Sequence, residues 1–331
     1  MIVPLISTDV AWPLHPVTAL FGSGICWTVE NGNWSVNVSV FDFMGRLFEF
    51  AVCIRLKSLA HSTSENIGQA HRGGVNMLSW GHAEYGSLIA TCGTDHEAKI
   101  WEEKTSSAAA ASRWTAKAQL TEARKAVSCV EFAPRHWGLK LATGSADGFV
   151  RIYEAVDVLN LAQWTIAASM QCFTDGLGVT CLSWSTGRFE PPTLVVGGSH
   201  PAVYRYSDAS RQWSPVLVLP PPPTGHVLDV AWAPNVGRRY HYIAAAEDKQ
   251  LRIFKLTRGN GSGEGDNLEL EATQTIPVSN AWRCQFNVTG TVLAVSGDRG
   301  MVQLWKSNYE GNFKVVAQVQ GDLSEVAAQA S

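Results

Sequence analysis

The chain runs to 331 residues, 46% apolar and 17% charged, which is material for a substantial core and no signature of general disorder. A formal net charge of −3 supplies no long-range basic field, which argues against direct nucleic-acid binding. No apolar run approaches the roughly 18 residues of a membrane span. The start contains Asp9 and several Pro and Gly interruptions and lacks a basic n-region, so it does not read as a signal peptide. The seven cysteines (Cys26, Cys53, Cys92, Cys129, Cys172, Cys181, Cys284) are odd in number and include no C-x-x-C pair. They read as reduced, buried thiols, and the sequons at Asn33, Asn37 and Asn287 read as chance matches.

In chain order, residues 1–33 fit no repeat and read as an N-terminal extension. Val36 to Phe41, followed by Asp42 to Leu47, looks like the first strand and turn of a unit whose remainder is worn away. From Val75 the pattern becomes regular. Each unit opens on a short strand: Val75–Trp80, Val127–Phe132, Val179–Trp184, Val227–Trp232 and Ala281–Phe286. A second apolar run follows and ends in an acidic turn at Asp95, Asp147, Asp248 and Asp298, with His200 at that place in the third copy. A third strand closes on an aromatic, at Trp101, Tyr153, Tyr206, Phe254 and Trp305. Gly144-Ser145-Ala146-Asp147-Gly148 supplies the positive-φ position and side-chain acceptor of a tight hairpin.

The starts are separated by 52, 52, 48 and 54 residues, and a variable fourth strand fits before the next copy begins. Four short strands repeating near 50 residues predict an all-β propeller over residues 34–320, with five sound blades, a degenerate first blade and a tail at 321–331. Lys104 to Ala118, Pro220 to Pro223 and Arg258 to Asn267 read as surface inserts between blades.

The candidate chemistry is structural. His71 and His226 each precede a first strand and pair naturally with the acidic turns, an imidazole tying a blade together. A catalytic His–Asp pair would need a nucleophile, and none recurs. The carboxylates fall once per blade around a ring, so they do not converge for acid–base work. No phosphate loop occurs, and no catalytic, cofactor or metal residues are expected. Of the thirteen tryptophans, Trp80, Trp101, Trp184, Trp232 and Trp305 sit at repeat positions and read as core; Trp12, Trp27 and Trp34 lie outside and are free for a partner.

The string IYEAVDVLNLAQW, Ile152 to Trp164, resembles the third-blade region of the SEH-type nucleoporins, a WD40-type propeller family related to the COPII outer-coat propeller protein. His82 to Glu103, Ala231 to Leu256 and Phe286 to Lys314 are similar to the same family, and the resemblance covers about residues 70 to 320. It implies a non-enzymatic scaffold of the Y-shaped outer-ring complex of the nuclear pore, at the nuclear envelope, supporting transport of protein and mRNA. The propeller would be open, completed by strands that an α-solenoid nucleoporin donates. Val36, Val38, Val40 and Phe41 would then lie beside the donated blade. Other outer-ring nucleoporins would be partners, and a second assembly of the GATOR type would place the chain at lysosomal or vacuolar membranes. A COPII-type coat propeller is the nearest alternative. A WD40 substrate-recognition adaptor is a second, but the loops before the first strands share no basic or aromatic character.

Overall fold

The computed structural model describes residues 70–103, 114–223, 225–259, 268–278, 281–297, 301–309 and 311–320. Before residue 70 it describes the backbone of four strands, 18–21, 25–30, 33–39 and 64–67. Every described sheet is a four-stranded antiparallel meander of strands consecutive in sequence.

The five repeats fold as five blades. The first holds Val75–Trp80 (β5), Leu88–Gly93 (β6), Ala98–Glu103 (β7) and Trp114–Leu120 (β8). The second holds Val127–Phe132 (β9), Lys140–Ser145 (β10), Phe149–Ala155 (β11) and Trp164–Gln171 (β12). Cys181–Trp184 (β13), Thr193–Gly197 (β14), Ala202–Ser207 (β15) and Gln212–Val218 (β16) make the third. Asp229–Trp232 (β17), Tyr240–Ala246 (β18), Gln250–Arg258 (β19) and Leu268–Pro277 (β20) make the fourth. Arg283–Phe286 (β21), Val292–Ser296 (β22), Met301–Ser307 (β23) and Phe313–Gln320 (β24) make the fifth.

Burial follows from place in the blade. The second strands β6 and β14 are buried at every residue; β14 lies between two neighbouring blades, and β6 packs on the second blade with one face and under Trp101 and Trp114 of its own blade with the other. They are therefore apolar or small throughout, where a one-faced strand would alternate. The outermost β12 is mostly exposed. The core is a series of layers between blades. Leu88, Ala90 and Ile100 of the first blade pack with Val130, Leu141 and Tyr153 of the second. Similar layers join the second blade to the third, the third to the fourth and the fourth to the fifth. On the far face of the first blade, Ile89, Trp101 and Trp114 cluster with the half-buried Val75, Leu78 and Trp80. The end blades are less covered than the middle ones: β5 has no buried residue and β23 has one, whereas β9 has four of six buried. In the second blade's hairpin, Gly148 has φ +84° and a Cβ there would lie 2.1 Å from the Phe173 carbonyl oxygen, so only glycine fits.

Three expectations need correction. Six blades were expected where five carry the repeat; the residues before them form a separate sheet of Thr18–Phe21 (β1), Ile25–Glu30 (β2), Asn33–Ser39 (β3) and Ser64–Ile67 (β4). The expected boundary at residue 33 cuts through strand pairing, since β2 pairs with β3 from Ile25↔Val38 to Glu30↔Asn33. Asn31-Gly32, the two residues between those strands, are a strong hairpin signal that a search keyed to acidic turns passes over. Asp42 to Leu47 lie outside the described residues. The insert expected to run to Ala118 ends by Trp114, which is buried at the start of β8; the Ala-rich composition hid a strand. Among the described residues no helix is long and apolar enough to cross a membrane.

Candidate functional site: blade locks and inter-blade seams

His71, just before β5, sits fully buried between two partners. Its Nδ1 lies 2.9 Å from Asp95 Oδ1, and its Nε2 lies 2.8 Å from Thr91 Oγ1. Trp101 Nε1 donates to the same Thr91 oxygen at 2.9 Å. For a neutral ring, the form that burial favours, the proton bookkeeping has one solution. The Asp95 carboxylate can only accept, so Nδ1–H donates to it; Nε2 then accepts from the Thr91 hydroxyl, which accepts from Trp101. The ring is neutral in this arrangement, and burial lowers its pKa against the pull of Asp95. Asp95 is itself held below the usual carboxylate range: burial pushes it up, but His71 and the backbone N–H groups of Arg72 and Glu97 outweigh that. The relay therefore ties the segment before β5 to β6, the turn after it and β7.

His71, Asp95 and Glu97 also bring ligand atoms within 4.8 Å of one another, the spacing of a metal site. Their protons and charges are already committed. Nδ1 spends its proton on Asp95, and the Lys99 ammonium stands 3.3 Å from Glu97 Oε2. A structural lock accounts for the cluster.

The second blade solves the same problem with other residues. Ala123 stands in the place of His71, and the Arg151 guanidinium reaches Asp147 instead, Nη2 to Oδ2 at 2.8 Å. Asp147 also accepts from the Ser145 hydroxyl and from the backbone N–H groups of Phe149 and Arg124. Burial raises its pKa, but these donors win and bring it down to about 2. In the third blade His200 bonds Ser199 at 3.1 Å and stacks edge-on to Phe173. In the fourth, Glu247, fully buried, takes the Arg252 guanidinium, and among the described residues no hydrogen bond joins His226 to Asp248. The turn is one residue shorter there, so the acid sits at the strand end and needs the longer side chain. Arg252 Nη1 also donates to Pro220 O at 2.8 Å, pinning the proline connector. Asp298 lies outside the described residues.

A second set of contacts stitches blade to blade. Asn76 Nδ2 donates to Val127 O at 2.7 Å, the Ser128 hydroxyl to Val179 O, and Thr180 Oγ1 to Val227 O at 2.7 Å. The last seam is reversed in sense, Cys284 N donating to Asp229 Oδ2 at 2.9 Å. Three residues further along, Phe132 N donates to Ser79 Oγ at 3.1 Å, Trp184 Nε1 to Glu131 O at 3.2 Å and Trp232 N to Ser183 Oγ at 3.2 Å. Consecutive inner strands therefore run side by side in the same direction. The sequence carries the signal, a polar second and fifth residue in V-N-M-L-S-W, V-S-C-V-E-F and V-T-C-L-S-W. Glu131 is the odd member: its Oε2 has no partner and burial pushes the carboxyl up to about 8. Asp229 is likewise raised by burial, against the pull of Arg283 at 3.5 Å.

The described thiols Cys92, Cys129, Cys172, Cys181 and Cys284 are free, as expected, and burial raises the pKa of each. Val36 and Val38 lie on β3, an interior strand: Val36 pairs with Trp27 on one side and Ile67 on the other. Val40 and Phe41 lie outside the described residues.

Repeated four-stranded blades, with a Trp–Thr–His–Asp relay in the first, define a WD40-type β-propeller protein. The family described as WD domain, G-beta repeat matches residues 62–102, the span of that relay. The chain is 37% identical to Nucleoporin SEH1-B of Xenopus laevis over 86% of its own length and 85% of the relative's. It is 38% identical to Nucleoporin SEH1 of Danio rerio over 78% of this chain and 75% of that one, and 36% identical to Nucleoporin SEH1 of Homo sapiens over 86% and 85%. The chain belongs to the SEH1 nucleoporin family.

Proposed function

We propose that this chain is a non-enzymatic scaffold of the nuclear pore outer ring, located at the pore. Its propeller is open, and strands donated by an α-solenoid nucleoporin complete it. Transport of protein and mRNA depends on it through pore assembly. The observation that carries this reading is the likeness to relatives named Nucleoporin SEH1 along most of both chains.

Strand pairing supports the open ring. Each described sheet is built from four consecutive strands, so among the described residues no sheet is completed by a strand from the other end of the chain. The lower burial of β23 agrees with an end of the ring that another chain covers. In this reading β1–β4 is the sixth blade, first in sequence. Val36 and Val38 are then interior to it, and the edges open to added strands are β1 and β4. An uncovered edge is an aggregation hazard that a donated blade removes.

Co-expression with the α-solenoid nucleoporins of the same source tests this. A stable complex surviving gel filtration supports the reading, and its absence overturns it. Recovery of a vesicle-coat solenoid or a GATOR-type subunit in its place would move the chain to those assemblies.

A further inference from the structure

The last strand of each four-stranded sheet leaves one edge of N–H and C=O groups unpaired, and edges that face water usually carry charge or proline to discourage further pairing. Five of the six here comply. The edge strands contain Glu65 in β4, Lys117 in β8, Pro215 in β16, Glu269, Glu271 and Pro277 in β20, and Lys314 in β24. The exception is β12, Trp-Thr-Ile-Ala-Ala-Ser-Met-Gln, eight residues with neither charge nor proline. It ends its sheet, paired only with β11. Ile166 on it is 44% exposed, and the hairpin leading into it, closed by Val156 N to Gln163 O at 3.1 Å, presents Val156, Val158 and a 96% exposed Leu159. That hairpin is the stretch of Ile152 to Trp164 that no blade lock or seam uses.

Charge brackets this bare edge. Asp157 lies in the turn before β12 and Asp175 in the turn after it, both exposed. Each is fixed in place by a backbone N–H, Asp157 by Leu159 at 2.9 Å and Asp175 by Leu177 at 3.2 Å. A second copy pairing antiparallel across a two-fold axis would bring Asp157 of one chain toward Asp175 of the other, like charge on like. A strand with basic residues at both ends meets an acid at each.

We propose that the edge of β12 is a docking site for an extended segment of another protein, uncharged and β-branched at its centre and flanked by lysine or arginine. The backbone ladder would supply affinity, the apolar hairpin would cover one end of the incoming strand, and the two aspartates would set selectivity. This site is separate from the ends of the ring, so it stands or falls apart from blade donation.

The test uses the full-length chain and a labelled peptide, Lys-Lys-Thr-Val-Thr-Val-Thr-Lys-Lys. Saturable binding by fluorescence anisotropy is expected, with amide-exchange protection confined to β12. Ile166→Lys, at an exposed position, should weaken it about tenfold with an unchanged melting temperature, by adding the edge charge the other blades carry. Asp157→Asn with Asp175→Asn should weaken it about fivefold and flatten its salt dependence. Absence of saturable binding overturns the proposal. So does equal binding of a twin peptide with glutamate flanks or with a central proline. A dimer by light scattering that Ile166→Lys dissolves would assign the edge to self-association and overturn it as well.

Discussion

Arg151 and Asp147 show how one blade holds its shape when its histidine is missing. Both side chains are more than nine-tenths buried, so removing Arg151 leaves the Asp147 carboxylate buried without its counter-charge, held only by Ser145 and two backbone N–H groups. Arg151→Met should cost roughly 3–5 kcal/mol at neutral pH, measured by urea unfolding. Because Asp147 titrates at about 2 when folded, below an ordinary carboxylate near 4, the stability it brings is present above pH ~4 and lost as pH falls through ~2. The gap between Arg151→Met and the parent should therefore close in acid. Glu131 has the opposite sign. Its folded carboxyl is raised to about 8, so the folded state holds a proton that the unfolded state releases near pH ~4, and stability falls as pH rises between the two. Glu131→Gln cannot ionise, and its melting temperature should exceed the parent's by more at pH 8 than at pH 5. An equal offset at both values would contradict this assignment. Asp95 and Asp147 were legible because an acid at a fixed place after an apolar run is a turn signal. Glu247 was not, because deleting one turn residue moves the acid by one position. Arg151 was not, because a replacement for His71 drawn from another strand leaves no spacing to read.

At the scale of the strand, the same side of each inner strand does two jobs. It packs a blade and it bonds the next one, through Asn76, Ser128 and Thr180. Each such bond joins residues about one blade apart in sequence, so deleting a single hydroxyl loosens a seam and leaves every blade intact. Thr180→Val preserves shape, leaves the Val227 carbonyl unpaired, and should cost about 1–3 kcal/mol in thermal or urea unfolding. Amide exchange should quicken in β13 and β17 before it does within the other sheets. The repeat made these strands legible, because alternation and aromatic closure recur five times. The seams were harder to see, since a serine in alternation reads equally well as a solvent-facing residue. The β2–β3 pairing shows a different reason for a miss: Asn31-Gly32 marks a hairpin with no acidic turn, and a template drawn from the later blades has no place for it.

For the whole molecule, the core is distributed as layers between successive blades, so each middle blade is stabilised from both sides and each end blade from fewer described neighbours. Repetition in the sequence reveals that architecture, but it is silent on how the ends of the ring are covered, because that depends on which strands pair across them. The open scaffold proposed above makes a specific demand: what covers the ends is another chain. Hydrogen–deuterium exchange on the chain alone and in complex with a co-expressed α-solenoid nucleoporin measures this directly. The account predicts that complex formation slows exchange in the β1–β4 sheet and in β21–β24 while leaving β9–β16 unchanged. Slowed exchange spread over the middle blades, with the ends unaffected, would contradict it.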